Sequence, residues 1–412
     1  IYTNSLTYNK TIADVHNFEA LLLAEKFDSK GTSLNASSRN TVSDNIDELS
    51  NEDSSLQSTS FEYNRLGFLG RLNYNYDDKY IAAVSLRRDA SSKFGSNNRW
   101  GWFSSYALGW NIAKENFLVD TNVSTLKLRG SLGYSGNDRI ANYLYSATLV
   151  NNFLYPIAGS NAVGTTAFGL ANPDLKWEET RQLNVGIDLG FNNDKFTAAL
   201  EYYENQSDDL LIRVPTSTSL GSQVRNVGAV ETTGFELSLG YNDFEGDFKW
   251  SANLNLSTSS NEAISLGGVD ELNGGNFENQ NITRITEGES LFHFFGLVTD
   301  GIYQNQAEVD AVFTANPGQT TVQPGDIRFK DLNNDGDITS EDRAIIGNPL
   351  PDLTYGLNLS ADYKNWDVNM FWTGIYGRDI YNTNIYDLEG MPRLFNAGVG
   401  VLDRWTPTNP SN

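Results

Sequence analysis

Asp331, Asn333, Asp335, Asp337 and Asp342 place oxygen donors at positions 1, 3, 5, 7 and 12 of a twelve-residue run, with Gly336 at position 6. Hard oxygen ligands at that spacing, with glycine at the sharp turn, are how an EF-hand-like loop encloses calcium. Calcium held here would stiffen the exposed segment around it. Two features depart from the pattern: position 12 is Asp where Glu is usual, and Ile327, Arg328 and Phe329 ahead of the loop read as extended and not helical. The same residues also suit an uncharged, Asx-rich turn satisfied by its own backbone. Both readings stand at this level.

Other chemistry is scarce. His16 and His293 are isolated from any metal-ligand spacing, no nucleophile falls beside a base, and no phosphate-binding glycine loop occurs. Carboxylates are so numerous that pairs arise everywhere, so a glycosidase dyad cannot be argued from them. The chain reads as a non-enzyme. Its 52 acidic against 29 basic side chains give a net charge of −23, which excludes a nucleic-acid partner because phosphate binding needs a basic footprint. Without cysteine there is no disulfide framework and no thiolate metal site.

Aromatic side chains remain as binding candidates. Trp177 and Trp405 fall in loops and are candidates for glycan or partner contact. Phe292, Phe294 and Phe295 form an apolar group within residues 258–351, read either as local packing or as a patch that docks a lid. Trp100, Trp102, Trp110, Trp250, Trp366 and Trp372 sit at strand ends, where an interfacial girdle explains them better than sugar stacking.

The elements that carry these residues announce themselves by a period of two. Phe68, Gly70, Leu72, Tyr74 and Tyr76 share one face while Arg71, Asn73 and Asn75 share the other; after Asp77, Asp78 and Lys79, Tyr80, Ala82, Val84 and Leu86 oppose Ile81, Ala83, Ser85 and Arg87. That alternation belongs to strands. It recurs in about twelve segments, each nearly twice the ordinary length of about five or six residues, with aromatic ends. Such a length lets a tilted strand cross an outer membrane. A slip of one residue would turn Arg71, Lys127, Arg129, Asp188, Glu201 and Glu236 toward lipid. An Arg or Lys at mid-bilayer costs about 2 to 4 kcal/mol, so several together exceed the stability of a fold. The polar face must line a lumen.

The expected fold is therefore all-β: a transmembrane antiparallel barrel, residues 1–412 forming one partial barrel domain. Connections alternate, short at 77–79, 192–194, 242–247 and 364–365, long at 28–60, 135–178, 205–230 and 258–351, and residues 400–412 read as a further loop. Outer-membrane barrels keep short turns in the periplasm and long loops outside. The expected location is the outer membrane, crossed many times, with lipid and lipopolysaccharide as surroundings. Apolar runs such as residues 20–24 are far too short for a membrane helix. The chain starts at Ile1 without a signal peptide and stops in a loop-like stretch, which reads as a mature or partial chain.

Several stretches together carry a family resemblance. Residues 86–95 (LRRDASSKFG) continue into Asn97, Asn98, Arg99, Trp100, Gly101, Trp102 and Phe103; then come 172–178 (NPDLKWE), Asn226, Val227 and Gly228 with 234–237 (GFEL), 324–329 (PGDIRF), and 346–349 (IGNP). In combination they resemble the SusC/RagA family of TonB-dependent outer-membrane transporters. The resemblance implies a 22-stranded barrel with a plug, import of oligosaccharides or peptides, and a SusD-like surface lipoprotein as lid. It also implies TonB coupling through segments not in this sequence. A non-transporting scaffold within a larger outer-membrane complex is the alternative, and an iron-chelate receptor shares the barrel but not these motifs.

Overall fold

A computed structural model describes residues 1–37, 55–157, 160–168, 170–216, 222–315 and 322–410. Twelve strands form one antiparallel sheet: β1 (Tyr2–Ile12), β2 (His16–Ser37), β3 (Ser55–Tyr76), β4 (Tyr80–Ser91), β5 (Trp100–Asn111), β6 (Val123–Asn137), β7 (Glu178–Phe191), β8 (Phe196–Pro215), β9 (Ser222–Asp243), β10 (Phe248–Leu266), β11 (Leu353–Tyr363) and β12 (Trp366–Tyr376). Their order in the sheet is their order in the chain. All twelve correspond to the alternating segments of the sequence.

Register confirms the two faces. Directly opposed residues share a face of a sheet, and Leu6 opposes Leu22, which opposes Gly70 and then Leu86; Leu72 opposes Val84 and then Tyr106. Leu6, Leu22, Leu72, Val84, Leu86, Tyr106 and Leu108 are all exposed. So wide an apolar face is not tolerated in water. It is the lipid face.

The short turns are tight because their residues accept left-handed backbone. Asp77 and Asp78 both have positive φ, and Lys79 donates its N–H to the Tyr76 carbonyl at 2.8 Å. Asn193 and Asp194 do the same between β7 and β8, where the Lys195 N–H reaches the Asn192 carbonyl at 3.2 Å. Paired positive φ values match the twist of the flanking strands, and Asn and Asp bear that conformation best.

Three of the long connections differ from expectation. Pairing continues from Phe27 and Arg65 out to Ser37 and Ser55, so much of 28–60 is strand, with 38–54 outside the described residues. Likewise β8 runs to Pro215 and β9 starts at Ser222. In the first of these extensions Ser and Thr help keep the ladder, as in the 2.6 Å contact between the Ser33 and Thr59 hydroxyls. Within 135–178 lies a further hairpin, Thr148–Ile157 with Ser160–Phe168.

The chain divides into two compact units. One is Ile1–Ser257, Ile264–Val269 and Gly356–Trp372; the other is Thr258–Ala263, Asp270–Tyr355 and Thr373–Asn412. The second unit holds a small sheet of Leu272–Asn273, Thr283–Ile285, His293–Leu297 and Arg343–Gly347, a strand pair of Thr299–Ile302 with Ile327–Phe329, and a helix, Gln306–Ala315. The long excursion thus has secondary structure of its own. No described helix is long and apolar enough to cross a membrane.

Candidate functional site

The inward face is a ladder of paired charges. Arg71 meets Glu19 at 3.0 Å, and Asn73 donates to the same carboxylate. Arg87 meets Asp89 at 2.6 Å and Glu25 at 3.7 Å; Arg129 meets Asp188 at 3.3 Å and Glu201 at 2.5 Å; Arg181 meets Glu204. Each pair is partly exposed, so it contributes modestly to stability. Its larger effect is on register, since a slip would strand every member in lipid.

Where β4 leaves the sheet, a buried aromatic cluster closes the inner wall. Phe94 and Leu175 are fully enclosed, and Phe103 and Trp177 nearly so. The Trp177 ring lies 5.2 Å from Phe94, tilted against it, and 5.4 Å from Phe103, edge to face. Its indole N–H donates to the Arg99 carbonyl at 3.2 Å. This corrects the expectation for Trp177: although it lies in a loop, its ring is packed away and offers no face to a glycan. The motifs at 172–178 and 226–228 hold one another. Asn226 accepts from the Lys176 N–H and donates to the Lys176 carbonyl, while Asn172 donates to the Val224 carbonyl. Gly95 is required where the loops touch, because a Cβ there would sit 2.7 Å from the Pro173 carbonyl oxygen.

The three phenylalanines part company. Phe294 is buried and packs 6.1 Å from Tyr381, and Phe295 lies beneath the Arg284 guanidinium at 3.8 Å. Phe292 alone is exposed, with a φ of 59°. They therefore do not form one patch. His293 is buried between them, its Nδ1 donating to the Ser290 carbonyl. Trp405 is half-buried: its indole N–H donates to Gln304 at 2.9 Å and its ring covers Gly325.

The 331–342 loop has a specific internal geometry. Asp331 accepts from the Gly336 N–H at 2.8 Å, Asn333 from Asp335 at 3.0 Å, and Asp335 from Asp337 at 2.7 Å. Asn334 and Gly336 supply the positive φ values that curl it. Asp342 is fully enclosed, with one carboxylate oxygen accepting from the Leu332 N–H and the other from the Thr339 N–H. These backbone donors, that of Thr339 foremost, hold its carboxyl below the usual Asp range. Position 12 thus closes the loop onto its own backbone, and Asp331 Oδ1 is left buried without a partner. Among the described residues, no group of three or more His, Cys, Asp or Glu side chains converges as a ready metal site. Asn333 and Asp335 are also tied to each other, the Asn333 amide donating to the second Asp335 oxygen at 2.9 Å.

A model of the family described as TonB dependent receptor-like, beta-barrel, matches residues 2–408. The chain belongs to that family. TonB-dependent receptor P3 of Formosa agariphila is 33% identical over 419 residues, which take in 98% of this chain and 41% of that protein. TonB-dependent receptor SusC of Bacteroides thetaiotaomicron is 33% identical over 310 residues, 73% of this chain and 30% of that protein. Among solved structures, the RagAB peptide importer in its open-open state superposes with a TM-score of 0.82 at 26% identity, covering 100% of this chain and 44% of that one. This SusC/RagA-type barrel chain thus spans less than half the length of the relatives it matches. Its place is the outer membrane, and the charge ladder and the buried Trp177 cluster belong to the receptor's barrel wall.

Proposed function

We propose that this chain forms part of the wall of a TonB-coupled nutrient importer of the SusCD type, taking up oligosaccharides or peptides beneath a SusD-like surface lipoprotein. The observation that carries the reading is the sheet itself, lipid-facing on one side and charged on the other, in a chain of the SusC/RagA family. Within the described residues β1 and β12 each have one neighbour. An open strand edge in hydrocarbon leaves backbone groups unsatisfied, so further strands of the full-length barrel complete the wall. A solved relative is the RagAB peptide importer, which favours an importer over a scaffold. The wall itself carries out no bond chemistry. Cells bearing the full-length protein are expected to take up labelled oligosaccharide or peptide only while the inner membrane is energised, and to lose uptake when the surface lipoprotein is deleted. Uptake indifferent to both would leave the scaffold.

We further propose that Asp331, Asn333 and Asp335 hold calcium, with Asp337 and Asp342 completing or closing the loop. The partnerless Asp331 oxygen supports this reading. An affinity on the order of 10⁻⁴ to 10⁻³ M suits an extracellular module. Asp335→Asn keeps the hydrogen bond to Asp337 yet removes charge, so it should weaken calcium heat in titration calorimetry and abolish protease protection of the loop by calcium. No heat, with chelator-independent proteolysis, would refute it.

A further inference from the structure

Two neighbouring arginines on β4 face opposite ways. Arg87 points inward to Asp89 and Glu25. Arg88 opposes Phe68 and Trp102 on the lipid face and is exposed. Its guanidinium lies 4.5 Å from the Trp100 ring centre and 4.9 Å from that of Trp102. Among the described residues no carboxylate pairs with it. Cation–π contact orients the group, but five N–H donors remain without an acceptor of opposite charge.

The depth of Arg88 says what that acceptor is. Tyr80 stands beside the short turn, stacked on Tyr76 and Trp110, and Arg88 lies eight residues further along β4. At about 3.4 Å per residue and a tilt of about 40°, that is roughly 20 Å higher. Arg88 therefore sits at the outer edge of the apolar band, at the level of outer-leaflet headgroups. Directly alongside, Leu6, Leu22, Ala24, Phe68, Gly70 and Leu86 line a groove of about 720 Å³ that Arg88 and Trp102 also border. Gly70 opens its floor, since a Cβ there would meet only Leu22 at 3.7 Å.

We propose that this face binds a phosphorylated, acylated glycolipid of the outer leaflet, with a phosphate on Arg88 and an acyl chain in the groove. The planar guanidinium offers paired N–H groups to phosphate oxygens, the indoles flank it as a sugar-lipid headgroup would require, and the groove below is apolar. The nearby Lys26 and Lys30 already have Asp28 and Glu62 as partners. Of these three described cations, Arg88 is the one without a carboxylate partner.

The test uses the full-length protein, delipidated in mild detergent and titrated by native mass spectrometry with bisphosphorylated lipid A, the same lipid after phosphatase treatment, and inorganic phosphate. Wild type is expected to hold the phosphorylated lipid about tenfold more tightly than the dephosphorylated one. Arg88→Gln should erase that preference, and Arg88→Lys should retain part of it. Gly70→Phe fills the groove without touching Arg88 and should weaken both lipids alike. Equal binding of the two lipids by wild type, or an unchanged preference in Arg88→Gln, would overturn the proposal. So would displacement of the lipid by equimolar inorganic phosphate, which would mark a free-anion site.

Discussion

Val84→Arg tests the assignment of faces at its most demanding point. Val84 is four residues from Tyr80 at one edge of the apolar band and four from Arg88 at the other, which puts it at mid-bilayer. It opposes Leu72 and Tyr106 across the sheet. An arginine there should destabilise the barrel by about 2 to 4 kcal/mol. Ser85, one residue on, faces inward, where its hydroxyl meets that of Ser105 at 2.7 Å. Ser85→Arg should cost only about 0.5 to 1.5 kcal/mol for that lost hydrogen bond, because the new charge points to an aqueous interior. Urea unfolding of the full-length protein in lipid vesicles, followed by tryptophan emission and heat-modifiable gel mobility, measures both. If Ser85→Arg proved the more damaging, or both fell below about 1 kcal/mol, the register inferred from the alternation would be wrong.

Phe94→Ala should cost about 3 to 5 kcal/mol, because the ring is fully enclosed against Trp177; Phe94→Leu should recover most of it, read as the urea midpoint. The loop that Asp342 closes should resist acid. Its carboxyl is held below the ordinary value of about 3.9 by the Thr339 and Leu332 N–H groups, so the stabilisation is complete above that range and is lost as pH falls through the depressed folded value. Limited proteolysis at 331–342 should therefore stay slow near pH 4 in wild type, whereas Asp342→Asn should be cut faster at neutral pH. Trp405→Ala should release residues 400–410 from Gly325 and Gln304 and raise their cleavage rate, with barrel stability within about 0.5 kcal/mol of wild type.

The twelve strands were legible because lipid imposes a strict rule: every second residue apolar, with no charge tolerated at those positions in mid-bilayer. Beyond the membrane the rule lapses. Residues 28–37 and 55–62 carry no alternation, yet they pair in register, and only the Ser and Thr content of that stretch hinted at it. Trp177 was misplaced for a different reason, since a loop position says nothing about burial. A signal was present in Phe103, a large aromatic among Ser105, Ala107, Gly109 and Asn111 on the polar side; an apolar ring on an inward face needs a partner, and Leu175 and Trp177 provide it. Asp342 also had a signal: Thr339 three residues ahead of it makes a capping box, which explains why its carboxylate turns to backbone N–H groups.

Arg87 and Arg88 show how far a single residue of register reaches. They differ by one position on the same strand, and the pleat alone sends one to Asp89 and Glu25 and the other to two indoles. On the inward side a guanidinium can recruit acids from within the sheet: Arg71, Arg129 and Arg181 each meet one on the next strand, and Arg87 meets Asp89 on its own strand and Glu25 on β2. On the outward side the acids stand further along the strands, as Asp28 does beside Lys26; at Arg88 two indoles take the place of a carboxylate, and in the proposal above the anion comes from the lipid. Charge neutralised within the wall fixes the register; charge left open at its edge is what a lipid can read.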